Sequence, residues 1–209
     1  REHGVTRRGF LKFCAATATM MALPPTMAPA IAAALEKARR PSVIWLSFQE
    51  CTGCIESLTR SHSPTVENLI LDVVSLDYQH TLQVASGELA EEARLQAMRE
   101  NHGSYLVIVD GSLPGPGSNM GYSTVAGHSN LDILLETVEG AAAVIAVGTC
   151  AAFGGLPRAH PNPTGAVAVQ DIITNKPVIN VSGCPPIPTV ISGVLAQFLT
   201  FGKLPELDA

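Results

Sequence analysis

The chain has 209 residues, of which 46% are hydrophobic and 15% charged, ample for a packed core in one domain, or one domain with an appendage. Its charge is uneven: residues 1–40 hold seven Lys or Arg and two Asp or Glu, net +5, while the remainder holds six basic and 16 acidic residues, net −10. An acidic body with few aromatic residues and no Lys/Arg stripe argues against nucleic-acid binding.

Residues 1–40 read as a targeting segment and linker. Thr6-Arg7-Arg8-Gly9-Phe10-Leu11-Lys12 places two adjacent arginines ahead of an apolar run from Phe13 to Leu23, followed by Pro24-Pro25 and an Ala-rich stretch. This is the layout of a twin-arginine signal. Ala28-Pro29-Ala30 and Ala30-Ile31-Ala32 would suit a signal peptidase. An amphipathic N-terminal helix is the less favoured alternative. The apolar run is too short to span a bilayer, which takes ~20 helical residues. The twin-arginine route carries proteins already folded, so it suits one whose cofactor is inserted in the cytoplasm.

From Pro41 onward apolar strands alternate with helical stretches. Ser42–Phe48 is the first expected strand and 69–76 the second. Glu88–Asn101 reads as a helix with Leu89, Ala93 and Ala97 on one face. Tyr105–Asp110 is the third strand, Asn130–Glu139 a helix with Ile133, Leu134 and Val138 facing a sheet, and Ala142–Val147 the fourth strand. A short helix over Val167–Ile173, a fifth strand at Val178–Val181 and an amphipathic helix over Pro188–Phe201 complete the chain. Strands that are apolar along their whole length, alternating with helices, predict an α/β fold. The specific expectation is a flavodoxin-like open parallel five-stranded sheet with helices on both faces.

In such a sheet ligands collect beyond the carboxyl ends of the strands. Of the five cysteines, Cys14 lies in the leader; the other four all follow strands. Cys51 and Cys54 form a C-x-x-C pair after the first strand, with Ile55–Thr59 reading as a helix opening behind them. Cys150 follows the fourth strand within Gly148-Thr149-Cys150-Ala151, and Cys184 follows the fifth within Gly183-Cys184-Pro185-Pro186. A C-x-x-C pair is a redox disulfide or half of a metal site. Four convergent thiolates suit zinc or an iron–sulfur cluster. Only one pair is close in sequence, and Gly and Pro surround the single thiols, which favours iron–sulfur over zinc and zinc over two disulfides.

The loop 110–119 after the third strand is rich in Gly and Pro. It could cradle a flavin, yet it lacks a phosphate-binding glycine spacing and suits a rigid partner-facing loop better. Glu50 precedes Cys51; it could relay protons, or serve as a solvated acid or helix cap. His62, His80, His102, His128 and His160 are scattered singly, without metal-ligand spacing.

Glu50-Cys51-Thr52-Gly53-Cys54, Asp110-Gly111-Ser112, Gly148-Thr149-Cys150-Ala151 and Gly183-Cys184-Pro185-Pro186, with the leader, resemble the small subunit of nickel–iron hydrogenases. The resemblance implies an electron-transfer small subunit of an uptake hydrogenase, an H2:acceptor oxidoreductase working as a heterodimer. Its large subunit would hold the nickel–iron centre, and a downstream acceptor such as a cytochrome would take the electrons. It also implies that Cys51, Cys54, Cys150 and Cys184 bind a proximal 4Fe–4S cluster. Residues 41–209 would form that cluster domain, exported to the periplasm or the periplasmic face of the inner membrane. Family members with an oxygen-tolerant cluster carry two extra cysteines, at positions matching Gly53 and Gly155, so this chain resembles the standard type. Family small subunits also carry medial 3Fe–4S and distal 4Fe–4S clusters in a C-terminal domain. No cysteine follows Cys184, so ligands for those two clusters are not expected in this chain. The related quinone-reductase subunits, whose paired cysteines are adjacent, are a near variant. A flavin-binding flavodoxin-like module and a zinc-stabilised structural protein are the alternatives.

Overall fold

The apolar runs pair as strands because their β-branched and aliphatic side chains can be buried on both faces of a sheet. A computed structural model of the chain describes residues 7–20, 23–37, 40–62, 64–117 and 120–201. Its strands are β1 (Ser42–Ser47), β2 (Ser75–Gln79), β3 (Leu106–Asp110), β4 (Leu113–Pro114), β5 (Thr124–Val125), β6 (His128–Ser129), β7 (Ala143–Val147), β8 (Ala166–Val167) and β9 (Val178–Val181). The helices are α1 (Arg7–Met20), α2 (Ala28–Lys37), α3 (Gly53–Thr59), α4 (Val66–Asn68), α5 (Glu88–Glu100), α6 (Asn130–Glu139), α7 (Gly148–Phe153), α8 (Gly155–Arg158), α9 (Val169–Ile172) and α10 (Pro188–Phe201).

Five strands form one sheet in the order β2-β1-β3-β7-β9. Numbered among themselves these are 2-1-3-4-5, the flavodoxin-like order expected from the sequence, with the reversal of direction between β1 and β3. The neighbours β1–β3, β3–β7 and β7–β9 all run parallel. Ser47 aligns with Asp110, Asp110 with Val147, and Val147 with Val181. That row defines a level carboxyl edge, so a residue a few positions past it leaves the sheet on the same side in every case.

The chain divides into two compact units. The sheet unit comprises Ser42–Cys54 and Leu76–Pro186. Every residue of β3 and β7 is buried. Ile44, Leu46, Val107, Val109, Val144 and Ala146 pack with Ala90 and Ala97 of α5 and with Ile133, Leu134 and Val138 of α6. Each fully buried aliphatic side chain of this kind stabilises by about 1.5–3 kcal/mol. The second unit comprises Arg1–Pro41, Ile55–Ser75 and Ile187–Ala209. Within it α1 and α2 bury Cys14, Ala18, Ala28, Ile31 and Ala32 together with Ala196 of α10. Most of the described part of residues 1–40 is therefore helical. Thr6 of the twin-arginine pattern, Met21 and Ala22 of the apolar run, and Ser118 and Asn119 of the loop after β3 lie outside the described residues.

Three sequence expectations are corrected. The strand expected over 69–76 begins only at Ser75: the chain first makes a π-helical turn at Leu69–Val73. Thr65 caps this segment, its side chain accepting the Asn68 amide, so the apolar run continues a helix before it reaches the sheet. On α5 the inward face is Ala90, Arg94 and Ala97, while Leu89 is exposed. Residues 167–173 split into the end of β8 and the short helix α9.

Candidate metal centre

The crossover after β1 is shaped by its contact with the crossover after β3. Gln49 and Ser112 exchange two backbone hydrogen bonds, the Gln49 amide donating to the Ser112 carbonyl at 2.9 Å and the Ser112 amide to the Gln49 carbonyl at 3.1 Å. Gly111, at φ +86°, makes this approach possible: a Cβ there would lie 2.8 Å from the backbone carbonyl carbon and nitrogen of Gln49. Asp110 is fully buried beneath the same turn, its Oδ1 accepting the Trp45 indole N–H at 2.9 Å. In the loop after β3 the Ser112 amide is therefore committed to this clamp. The Gly115 amide is likewise engaged, by the Gly165 carbonyl at 3.0 Å, and β4 pairs with β8.

Cys51 emerges exposed from the clamped turn, and Cys54 lies half-buried at the start of α3. The Thr52 backbone between them sits at φ +66°, a left-handed conformation rare for a β-branched residue and typical of strained functional loops. The Cys54 thiol reaches the end of β7, where it donates to the Val147 carbonyl at 3.7 Å. Gly148, at φ +87°, leaves room for it, since a Cβ on Gly148 would collide with Cys54 Sγ. Half-buried Cys150 follows two residues later in α7. The Thr149 amide donates to the Gly183 carbonyl at 2.8 Å, joining this loop to the one that carries exposed Cys184. Added Cβ atoms on Gly53 and Gly155 would lie 3.2 Å from Cys51 Sγ and 2.5 Å from Cys150 Sγ, so both glycines border the thiols.

All four thiols are free, and each stands within electrostatic reach of others. Burial, then Asp110, Cys150, Cys51 and Glu50, push the Cys54 thiol up to about 12. Burial also raises Cys150, helped by Cys184, Cys51 and Glu50 and opposed by a backbone hydrogen bond from Leu156. Burial and the Asp110 charge raise the Glu50 carboxyl; Thr52 Oγ1 donates to its Oε1 at 3.4 Å, and its buried Oε2 has no hydrogen-bond partner. Asp110 is raised by burial against the opposing effect of Ser47 and Trp45. A site that crowds thiols and carboxylates in this way disfavours their ionisation until a cation compensates them, so the donor set fits a thiolate-bound metal group. Among the described residues no three His, Cys, Asp or Glu side chains are gathered closely enough to hold a single metal ion. Among the described histidines, His80 enters an extended side-chain network that neither spacing nor motif had marked. Among the described residues no helix is long and apolar enough to cross a membrane.

Residues 51–198 match the family described as NADH ubiquinone oxidoreductase, 20 kDa subunit. The Hydrogenase-2 small chain of Escherichia coli K12 is 45% identical over 207 residues, covering 99% of this chain and 55% of that protein. The periplasmic [NiFe] hydrogenase small subunit 1 of Nitratidesulfovibrio vulgaris is 46% identical, covering 99% of this chain and 65% of its own length. The chain thus spans little more than half the length of the curated relatives it matches. Among solved structures, the Ni-Fe-Se hydrogenase of Desulfomicrobium baculatum superimposes with a TM-score of 0.76 at 32% identity, covering 81% of this chain and 68% of that one.

Proposed function

The chain belongs to the family of nickel–iron hydrogenase small subunits, and from that premise we propose that its carboxyl sheet edge is an electron-transfer centre built on Cys51, Cys54, Cys150 and Cys184. The group that these thiolates would hold is a proximal 4Fe–4S cluster, which supplies one-electron redox chemistry when bound. The observation that carries this reading is the lacing of the segments that follow β1, β3, β7 and β9 at one edge. Gln49–Ser112, Cys54–Val147 and Thr149–Gly183 hold four free thiols in mutual electrostatic range.

The chain's own residues have distinct tasks. Gly111 and Ser112 fix the backbone that presents Cys51, Gly148 admits Cys54, and the Leu156 amide supports Cys150. Glu50, raised and partly unpaired, is suited to hold a proton beside the centre. Cys51 and Cys184 are exposed, and Phe153 of α7, Leu156 of α8, and Leu82 and Val84 of the loop after β2 present apolar surface in the same unit. A subunit that covers this edge would exclude water from the centre, and the large hydrogenase subunit is the partner we assign to it. The complex would oxidise H2 on the large subunit and hand electrons through this chain to an acceptor such as a cytochrome. Residues 1–40 act as a twin-arginine leader for export to the periplasm, and residues 41–209 as the cluster domain.

The test is iron retention in an anaerobically prepared Cys54→Ser variant. Loss of most bound iron relative to the parent chain is expected. Equal iron in the two proteins contradicts the assignment, and a yellow iron-free chain or one zinc per chain would replace it with the flavin or zinc alternative.

A further inference from the structure

A chain of polar groups built around buried Tyr78 and Arg94 ends on the backbone that leads to Cys51. The Ser47 amide donates to His80 Nδ1 at 3.4 Å. A backbone N–H can only donate, so Nδ1 is the accepting nitrogen and the neutral ring carries its proton on Nε2. Nε2 lies 2.9 Å from the Tyr78 hydroxyl, which itself donates to Glu91 Oε1 at 2.6 Å. The second Glu91 oxygen accepts from Arg94 Nε at 2.9 Å. Arg94 Nη2 donates to Glu136 at 2.8 Å and Nη1 to Thr137 Oγ1 at 2.8 Å. Tyr78 is 1% exposed and Arg94 3%, so these partners are fixed rather than exchanged with water. The Tyr78 and His80 rings meet edge to face, 5.1 Å apart. Every link lies in the sheet unit.

We propose that His80 is a positioning residue for the thiol centre: its neutral Nδ1 holds the end of β1, and its protonation is thereby coupled to the turn that presents Cys51 and to the redox state of the group bound there. The coupling rests on the reading of the four thiols as a redox metal site. A second proton on Nδ1 would face the Ser47 N–H with another donor, and that hydrogen bond would break. Burial, with the help of Arg94, keeps the ring below the usual imidazole value, against the upward pull of Glu91 and of a backbone hydrogen bond with Ser47. Glu91 and Arg94 from α5, Tyr78 from β2 and Glu136 behind Arg94 are the titratable or charged groups of the network. Reduction brings one electron, supplied by dithionite in the test, and one solvent proton adds to Nδ1; only an N–H bond forms. Ser47 and Cys51 are four residues apart, at most ~15 Å, and His80 Nδ1 stands another 3.4 Å from the Ser47 amide. Over such a distance a unit charge changes a proton affinity severalfold to about tenfold, and tenfold is ~59 mV for one electron. By reciprocity the reduction potential falls as pH rises through the His80 titration.

Two measurements decide it. In the metal-free chain, nuclear magnetic resonance is expected to show His80 as the Nε2–H tautomer. The Ser47 amide shift should follow the His80 titration in the parent chain and become pH-independent in His80→Gln. A Ser47 amide indifferent to His80, or an Nδ1–H tautomer, overturns the proposal whether or not a cluster binds. In the iron-loaded chain, the potential is expected to fall with pH by up to ~59 mV in all. In His80→Gln it should be flat, and in Tyr78→Phe the window should move. A bound cluster whose potential is pH-independent in the parent chain removes the redox coupling and leaves the cluster assignment standing. Failure to bind iron at all sinks the cluster assignment, and the amide titration still decides the positioning role.

Discussion

Replacing Gly111 with Ala tests the clamp between the two crossovers without touching a thiol. The backbone there sits at φ +86°, where an L-residue costs roughly 1–2 kcal/mol. The new Cβ would also lie 2.8 Å from Gln49 backbone atoms, which have no flexible end to move aside. Separating them breaks the two Gln49–Ser112 hydrogen bonds, each contributing about 1 kcal/mol. The total is about 3–4 kcal/mol. With a urea slope of about 2 kcal/mol per molar, the unfolding midpoint should drop by about 1.5–2 M. Iron loading should fall with it, because the displaced turn carries Cys51. The assay is urea unfolding of parent and variant followed by tryptophan fluorescence of Trp45, with iron measured on the same samples. A midpoint unchanged within about 0.3 M would refute the reasoning, since neither the left-handed backbone nor the close approach would then matter.

Other expected outcomes follow from the buried charges. In the metal-free chain Cys54, pushed up to about 12, should react with iodoacetamide at pH 8 on the order of a thousandfold more slowly than an ordinary thiol; equal labelling of Cys54 and a model thiol would contradict its crowding. Because the folded chain keeps this proton where the unfolded chain has lost it, stability of the metal-free chain should decline as pH rises from about 9 toward about 12, and no such decline should appear below pH 9. Arg94→Met removes the cation between Glu91 and Glu136 and should cost about 3 kcal/mol, or roughly 6–12 °C in Tm; a loss under 2 °C would mean the network contributes little.

The strands were legible where their chemistry was uniform. Leu106–Asp110 and Ala143–Val147 are largely apolar runs bounded by turn residues, and every residue of both is buried. The cysteine positions followed from the rule that parallel strands share a carboxyl edge, and the in-register row from Ser47 to Val181 makes that edge level. Residues 69–76 were misread because a short apolar run looks the same in a buried strand and in a helical turn. The missed signal was Thr65, whose capping of Asn68 marks a helix start. The inward turn of Arg94 was not legible because one of its two neutralising partners, Glu136, lies on another helix, 42 residues away. The Gly111–Gln49 approach, the left-handed Thr52 and the His80–Tyr78–Glu91 chain arise from tertiary packing. No periodicity or short motif encodes them.

Iron and acid-labile sulfide per chain, measured after anaerobic purification beside low-temperature paramagnetic resonance of the dithionite-reduced sample, address the central claim most directly. About four irons and four sulfides are expected, with a cluster signal that disappears when any one of Cys51, Cys54, Cys150 or Cys184 is changed to Ser. Iron without sulfide, or a signal that survives all four substitutions, would contradict it.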